Sequence, residues 1–176
     1  TYNPAEFFKV QDAAAFNNRT ATAPYENGSV IKALTMAMGI DTGVADQNST
    51  YYNTDSVKID DITVKNAVLG HTGTITMQTA MNYSLNTGMV EIASRLGGGR
   101  ITKEARDTMY DYYHNRFGLG QKTGLEIAES SGILISPDEV QGNAVRYSNM
   151  SFGQGMNLTM VQTATAFSAA INGGTL

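Results

Sequence analysis

The sequence predicts a mainly α-helical fold, and three observations predict it. Apolar residues recur at helical spacing in Val30 to Met38, Met89 to Leu96 and Met160 to Ile171. Capping residues precede several runs and glycines close them, at Gly39, at Gly97-Gly98-Gly99 and at Gly173. No stretch alternates polar and apolar residues strongly enough to build a sheet, and no internal repeat is evident.

In chain order, Thr1 to Pro24 carries asparagines and an alanine patch at Ala13 to Ala15 with little periodicity, so a loop with one short helix is expected. Gly28 breaks the chain, Ser29 is placed to begin a helix, and Val30, Ile31, Ala33, Leu34 and Met36 to Met38 continue it. A polar stretch rich in Tyr, Thr and Asp follows, and a small extended lobe is expected over about residues 44–66, with Ser56 to Asp60 alternating as in a hairpin. Met77 to Tyr83 reads as a short helix entered from Thr74-Ile75-Thr76, and the Met89 to Leu96 helix reads as core. Thr102 caps a helix through about Asn115 whose tyrosines need partners when buried, and Phe117-Gly118-Leu119-Gly120 ends it. Ser136-Pro137-Asp138-Glu139 has the layout of a capping box with proline at the first helical position, so a short helix is expected there. Thr159 to Ile171 is the last helix, its alanines suited to close packing.

The 176 residues are enough for one domain with a real core, and 41% hydrophobic residues is ordinary for a globular chain. With 12 Lys+Arg against 16 Asp+Glu, net charge −4 and no basic run, nothing marks a nucleic-acid or anionic-membrane surface. The absence of cysteine excludes disulfides and thiolate metal sites, and no cofactor or metal is implied. No stretch approaches the ~18 consecutive apolar residues of a membrane span. The chain opens on Thr1 and stops just after a helix-stop signal, the layout expected of an excised segment.

The chemistry lies in Ser29-Val30-Ile31-Lys32. Residues three apart share a helix face, so the Lys32 amine can reach the Ser29 hydroxyl. A serine is a poor nucleophile until a base takes its proton, and a lysine is that base only when burial or positive charge lowers its pKa. A helix N-terminus favours the oxyanion that develops. A bare S-x-x-K is far more often a capping serine beside a solvated lysine, so the tetrapeptide alone decides nothing.

Its company decides more. Pro24 to Lys32, then Ala80-Met81-Asn82-Tyr83-Ser84-Leu85-Asn86, then Phe117 to Gly124, then Ser151-Phe152-Gly153-Gln154-Gly155 follow one another in an order that resembles the transpeptidase domain of class B, monofunctional penicillin-binding proteins. The likeness spans nearly the whole chain. Ser29 and Lys32 match the family's S-x-x-K, and Ser84 with Asn86 match its S-x-N. Lys122-Thr123-Gly124 spells the third motif, K-T-G, but precedes the Gly-Gln-Gly loop instead of following it. It is expected to be an exposed turn remote from Ser29, with the true K-T-G beyond Leu176.

The resemblance implies the helical part of a penicillin-binding, β-lactamase-like α/β domain, its central sheet largely outside this chain. For the intact parent it implies a D,D-transpeptidase acting on peptidoglycan stem peptides ending in D-Ala-D-Ala, inhibited by β-lactams. The parent would work at the extracytoplasmic face of the bacterial membrane with glycosyltransferase and membrane partners. Ser29 would be the nucleophile, Lys32 the base, Ser84 a proton relay, and Asn86 the group holding Lys32 and the substrate amide. A β-lactam sensor, a D,D-carboxypeptidase or a β-lactamase would share these motifs. Without the sheet, which carries one oxyanion donor, the chain alone is expected to be a weak catalyst or none, with Lys32 resolvated and protonated.

Overall fold

A helix with no cap of its own lies at the centre of the molecule. In the computed structural model, which describes residues 3–176, α4 (Asn86–Arg95) buries Thr87 to Val90, Ile92 and Ala93. It packs on α2 (Lys32–Asp41), α3 (Met77–Asn82), α5 (Lys103–Tyr110) and α6 (Ala144–Ser151), and on its other side touches a small strand lobe. Gly88 permits this crowding, because a Cβ there would stand 2.5 Å from the Ala80 Cβ and 3.3 Å from the Tyr51 hydroxyl. The apolar residues of α2 and α4 complete the core with Met109, Tyr113, Tyr147, Met150 and Leu158. α7 (Met160–Ile171) packs on α2 and on α1 (Arg19–Thr22).

Local chemistry explains most helix starts. Thr76, Thr102 and Asn143 each accept a backbone N–H from the third residue on, and Thr159 with Gln162 forms a full capping box. The Gln162 amide also donates to the carbonyls of Gln121 and Ser131, tying the 121–131 loop to α7. Thr35, one turn beyond Lys32, donates to the Ser151 carbonyl at 2.7 Å and pairs with the Tyr113 hydroxyl at 2.8 Å, which locks α2 to the end of α6.

The strand lobe pairs β1 (Thr50–Asn53) with β4 (Gly73–Thr76), and β2 (Ser56–Ile59) with β3 (Ile62–Lys65), both antiparallel, with Thr50 opposite Thr76 and Ser56 opposite Lys65. These two-stranded sheets are the ones present among the described residues, so the chain is a mainly helical, partial α/β domain. The strands continue to Thr76, past the expected boundary near residue 66.

The one short helix expected within Thr1 to Pro24 is α1, preceded by two short 3-10 turns, Pro4–Lys9 and Ala13–Phe16; residues 1 and 2 of the expected loop lie outside the described residues. Three local expectations are corrected. Ser29 does not cap α2; it lies inside a 3-10 turn, Gly28–Ile31, that runs directly into that helix. Ser136 to Glu139 makes the box-like bond, Ser136 N–H to Glu139 Oε1, but the chain closes there as a turn. The helix forms later, as α6, where the sequence carries no expectation of one. After α5 the chain continues as a π-helical turn, Asp111–Arg116, before Phe117.

Candidate active site

The turn that carries Ser29 is held from across the molecule. Gly28 N–H donates to the Gly153 carbonyl at 3.0 Å, Tyr25 and Leu158 exchange both backbone bonds, and Gly155 N–H donates to the Glu26 carboxylate at 2.8 Å. Gly153 has φ +89°, and a Cβ there would meet the Gly28 carbonyl oxygen at 1.8 Å, so this contact tolerates only glycine. The Ser151 to Gly155 loop is therefore the clamp that positions the Ser29 turn. No local signal in the sequence pairs Gly28 with Gly153.

Lys32 enters the core as the first residue of α2 and is 2% exposed. Its amine donates to the Ser84 carbonyl at 2.5 Å and to Ser84 Oγ at 3.0 Å. Burial disfavours the ammonium and lowers its pKa to about 8. The expected resolvation of Lys32 is thus corrected: the chain's own residues bury it. About one Lys32 in ten is then neutral at pH 7, against roughly one in 3,000 for a lysine at its ordinary value. Among the described residues no hydrogen bond joins Lys32 to Ser29, whose side chain is exposed; the amine points its bonds to Ser84.

Ser84 is delivered to that amine by a helix ending. Leu85 N–H donates to the Ala80 carbonyl and Ser84 N–H to the Met81 carbonyl, the two bonds of a Schellman motif closing α3. Leu85 is fully buried, as the residue after such a motif commonly is. Ser84 stands at the left-handed position, φ +53°, where glycine is the usual occupant. A β-carbon there costs ~1–2 kcal/mol. Its hydroxyl and carbonyl both serve Lys32.

Asn86 opens α4 two residues later. Its side-chain N–H donates to the Lys65 carbonyl at 2.8 Å, and the Lys32 amine gives its hydrogen bonds to Ser84 and none to the Asn86 amide oxygen, so the expected hold of Asn86 on Lys32 is not made. The structure therefore brings Lys32 and Ser84 together, places Ser29 on the turn that leads into Lys32, and turns Asn86 toward the strand lobe.

Lys122 is exposed and lies in a loop beyond the π-helical turn. The rest of its motif is occupied: Thr123 N–H and hydroxyl, Gly124 N–H and Leu125 N–H all donate to the Glu129 carboxylate at 2.6–2.9 Å. These bonds hold that carboxyl below its ordinary pKa. Among the described residues no group of His, Asp or Glu is placed to hold a metal, and no helix is long and apolar enough to cross a membrane.

Comparison with known proteins gives the family. The family model described as the penicillin binding protein transpeptidase domain matches residues 1–176. Stage V sporulation protein D of Bacillus subtilis is 30% identical over 177 residues, covering 99% of this chain and 26% of that protein. A probable peptidoglycan D,D-transpeptidase FtsI of Caulobacter vibrioides is 33% identical over 162 residues, covering 89% of this chain and 24% of its own length. The crystal structure of penicillin binding protein 3 from Mycobacterium tuberculosis, complexed with aztreonam, superposes with a TM-score of 0.73 at 26% identity, covering 87% of this chain and 32% of that one. The chain spans about a quarter of the length of these curated relatives. Matched over its whole length by that family model, the chain belongs to the penicillin-binding protein transpeptidase family and resembles its class B members.

Proposed function

We propose that residues 1–176 are the helical, serine-bearing part of a peptidoglycan D,D-transpeptidase domain, with the strand lobe as its side wall. The observation that carries the reading is the buried Lys32 amine on Ser84, three residues along the chain from an exposed serine. Neutral Lys32 takes the Ser29 proton as Oγ forms a bond to the penultimate D-alanine carbonyl of a stem peptide. The C–N bond to the terminal D-alanine breaks, and the proton passes through Lys32 and Ser84 to that leaving amine. An amine of a neighbouring stem then attacks the ester, forms the new amide and returns a proton to Ser29. Asn86, fixed by Lys65, offers its carbonyl to the substrate amide. A β-lactam acylates Ser29 by the same first step and leaves a slowly hydrolysed ester.

In the full-length parent this work is done outside the cytoplasmic membrane, with the K-T-G strand supplying the opposite wall. Several large apolar side chains near the Ser29 turn, including Tyr25, Val30 and Met160, are exposed, in keeping with a face that other parts of the parent cover. The test is penicillin labelling of the full-length parent followed by peptide mapping. The adduct is expected on the peptide containing Ser29 and lost in Ser29→Ala; an adduct on another serine, or labelling of Ser29→Ala, would overturn the assignment.

A further inference from the structure

α4 begins at Asn86 yet has no cap of its own, because Leu85, at the cap position, is an apolar residue committed to the core. The free N–H groups of a first helical turn need partners. Thr87 N–H finds one in another element: it donates at 3.0 Å to Oδ1 of Asn66, the residue just after β3. The residue before Asn66 is Lys65, whose carbonyl accepts the Asn86 amide at 2.8 Å. Two adjacent residues of the lobe thus grip two adjacent residues of the S-x-N helix.

Behind this grip lies a closed set of side chains. Thr87 Oγ1 lies 2.9 Å from Asn53 Oδ1 and 3.1 Å from Asn66 Oδ1, and pairs with the Tyr51 hydroxyl at 3.1 Å. Asn66 Nδ2 faces Asn53 Oδ1 at 3.3 Å and Asp55 Oδ1 at 3.2 Å. Asn53 Nδ2 donates to Asp55 Oδ1 at 2.9 Å and to the His71 carbonyl at 2.8 Å. Asn53, Asn66 and Thr87 are at most 5% exposed. The third grip falls on the other side of Ser84: the His71 ring lies against Tyr83 with centroids 3.8 Å apart.

We propose that Asn66 and Thr87 are positioning residues for the reaction: through them the strand lobe caps α4 and sets Asn86 and Ser84 in register with Lys32. This rests on reading Ser29, Lys32, Ser84 and Asn86 as the site. Neither residue touches substrate; each acts through the backbone of residues 83–87. A buried network of this kind is rigid only when every member is satisfied, so removing one member loosens the helix start. A displacement of about 1 Å at a reacting group costs ~100-fold in rate.

The experiment measures labelling of the full-length parent by fluorescent penicillin over time and concentration, which separates the limiting acylation rate from half-saturation. Asn66→Ala and Thr87→Val are expected to lower the limiting rate about 10- to 100-fold, while Thr87→Ser, which keeps the hydroxyl, stays within about threefold of wild type. Tyr147→Phe removes a buried hydroxyl that donates to the Ile135 carbonyl, away from this network, and is expected to leave the rate unchanged. Folded Thr87→Val acylating as fast as Thr87→Ser would overturn the proposal, even if Asn66→Ala does not fold. Tyr147→Phe slowing acylation as much as Thr87→Val would also overturn it, by showing a general effect of lost stability. Undiminished labelling of Ser29→Ala would instead overturn the underlying site assignment, so the two failures are distinct.

Discussion

Replacing Lys32 with methionine should change how the protein's stability depends on pH, by an amount set by its burial. The amine has a pKa of about 8 when folded and the ordinary lysine value, 10.5, when unfolded. Between these values the unfolded chain binds more protons than the folded one, so stability rises with pH across that window. Below pH 7 both states are protonated and the full desolvation cost is present, about 3 kcal/mol for a shift of this size. Integrating the linkage from pH 7 to pH 9.5 gives a gain of about 2 kcal/mol for wild type, and none from this position in Lys32→Met. Tyr112 and Tyr113 also have raised pKa values and act only at higher pH, in the same way in both proteins. Urea unfolding at the two pH values, followed by the difference between wild type and variant, isolates Lys32. Lys32→Met should also be the more stable protein at pH 7, because the methionine needs no water and Ser84, at the surface, can turn to solvent. Equal pH dependence in the two proteins would refute the claim that Lys32 is held desolvated.

Ser84→Gly should be more stable than Ser84→Ala by about 1 kcal/mol in thermal or urea unfolding, since both lose the hydroxyl's bond to Lys32 and keep the carbonyl's, but only glycine relieves the left-handed backbone; both should acylate slowly. Gly153→Ala should lose at least ~2 kcal/mol and most penicillin labelling, because the new Cβ collides with the Gly28 carbonyl beneath Ser29; wild-type melting would contradict the clamp. Lys122→Ala should leave labelling of the parent within about twofold, the direct check that this K-T-G is outside the site, since uniform surface changes rarely exceed ~0.5 kcal/mol. Glu129→Gln should lower the melting temperature near neutral pH. The contribution of that depressed carboxyl is present above the ordinary carboxylate range and disappears as the pH falls through its folded value, so the two proteins should converge in acid.

Some of this architecture was legible because its causes are local. Thr76, Thr102 and Thr159 cap the helices the sequence marked, each with a side-chain bond to the third residue on. At Ser136 the same local signal misled: the chain folds straight back, with Glu139 N–H on the Ser136 carbonyl and Gly142 N–H on the Glu139 carbonyl, leaving no room for a second turn. α6 shows no apolar stripe because two of its four buried positions are the serines Ser148 and Ser151, and its stability comes from packing on α4 and α5. The site shows the same division. The spacing of Ser29 and Lys32 was readable, but the partner of the Lys32 amine lies 52 residues away, and the burial that lowers its pKa is tertiary. Asn86 was given a role toward Lys32 because motif order says nothing of which way an amide turns; Lys65, at the end of β3, decides that.

If buried, neutral Lys32 activates Ser29, the pH dependence of Ser29 acylation in the full-length parent reports its titration. The limiting acylation rate should rise through the neutral range and level off above an apparent pKa near 8, the folded value of Lys32, with the penicilloyl group mapped to Ser29 throughout. A rate that is flat between pH 6 and about pH 9.5, or one that Lys32→Arg leaves intact, would contradict this role of Lys32.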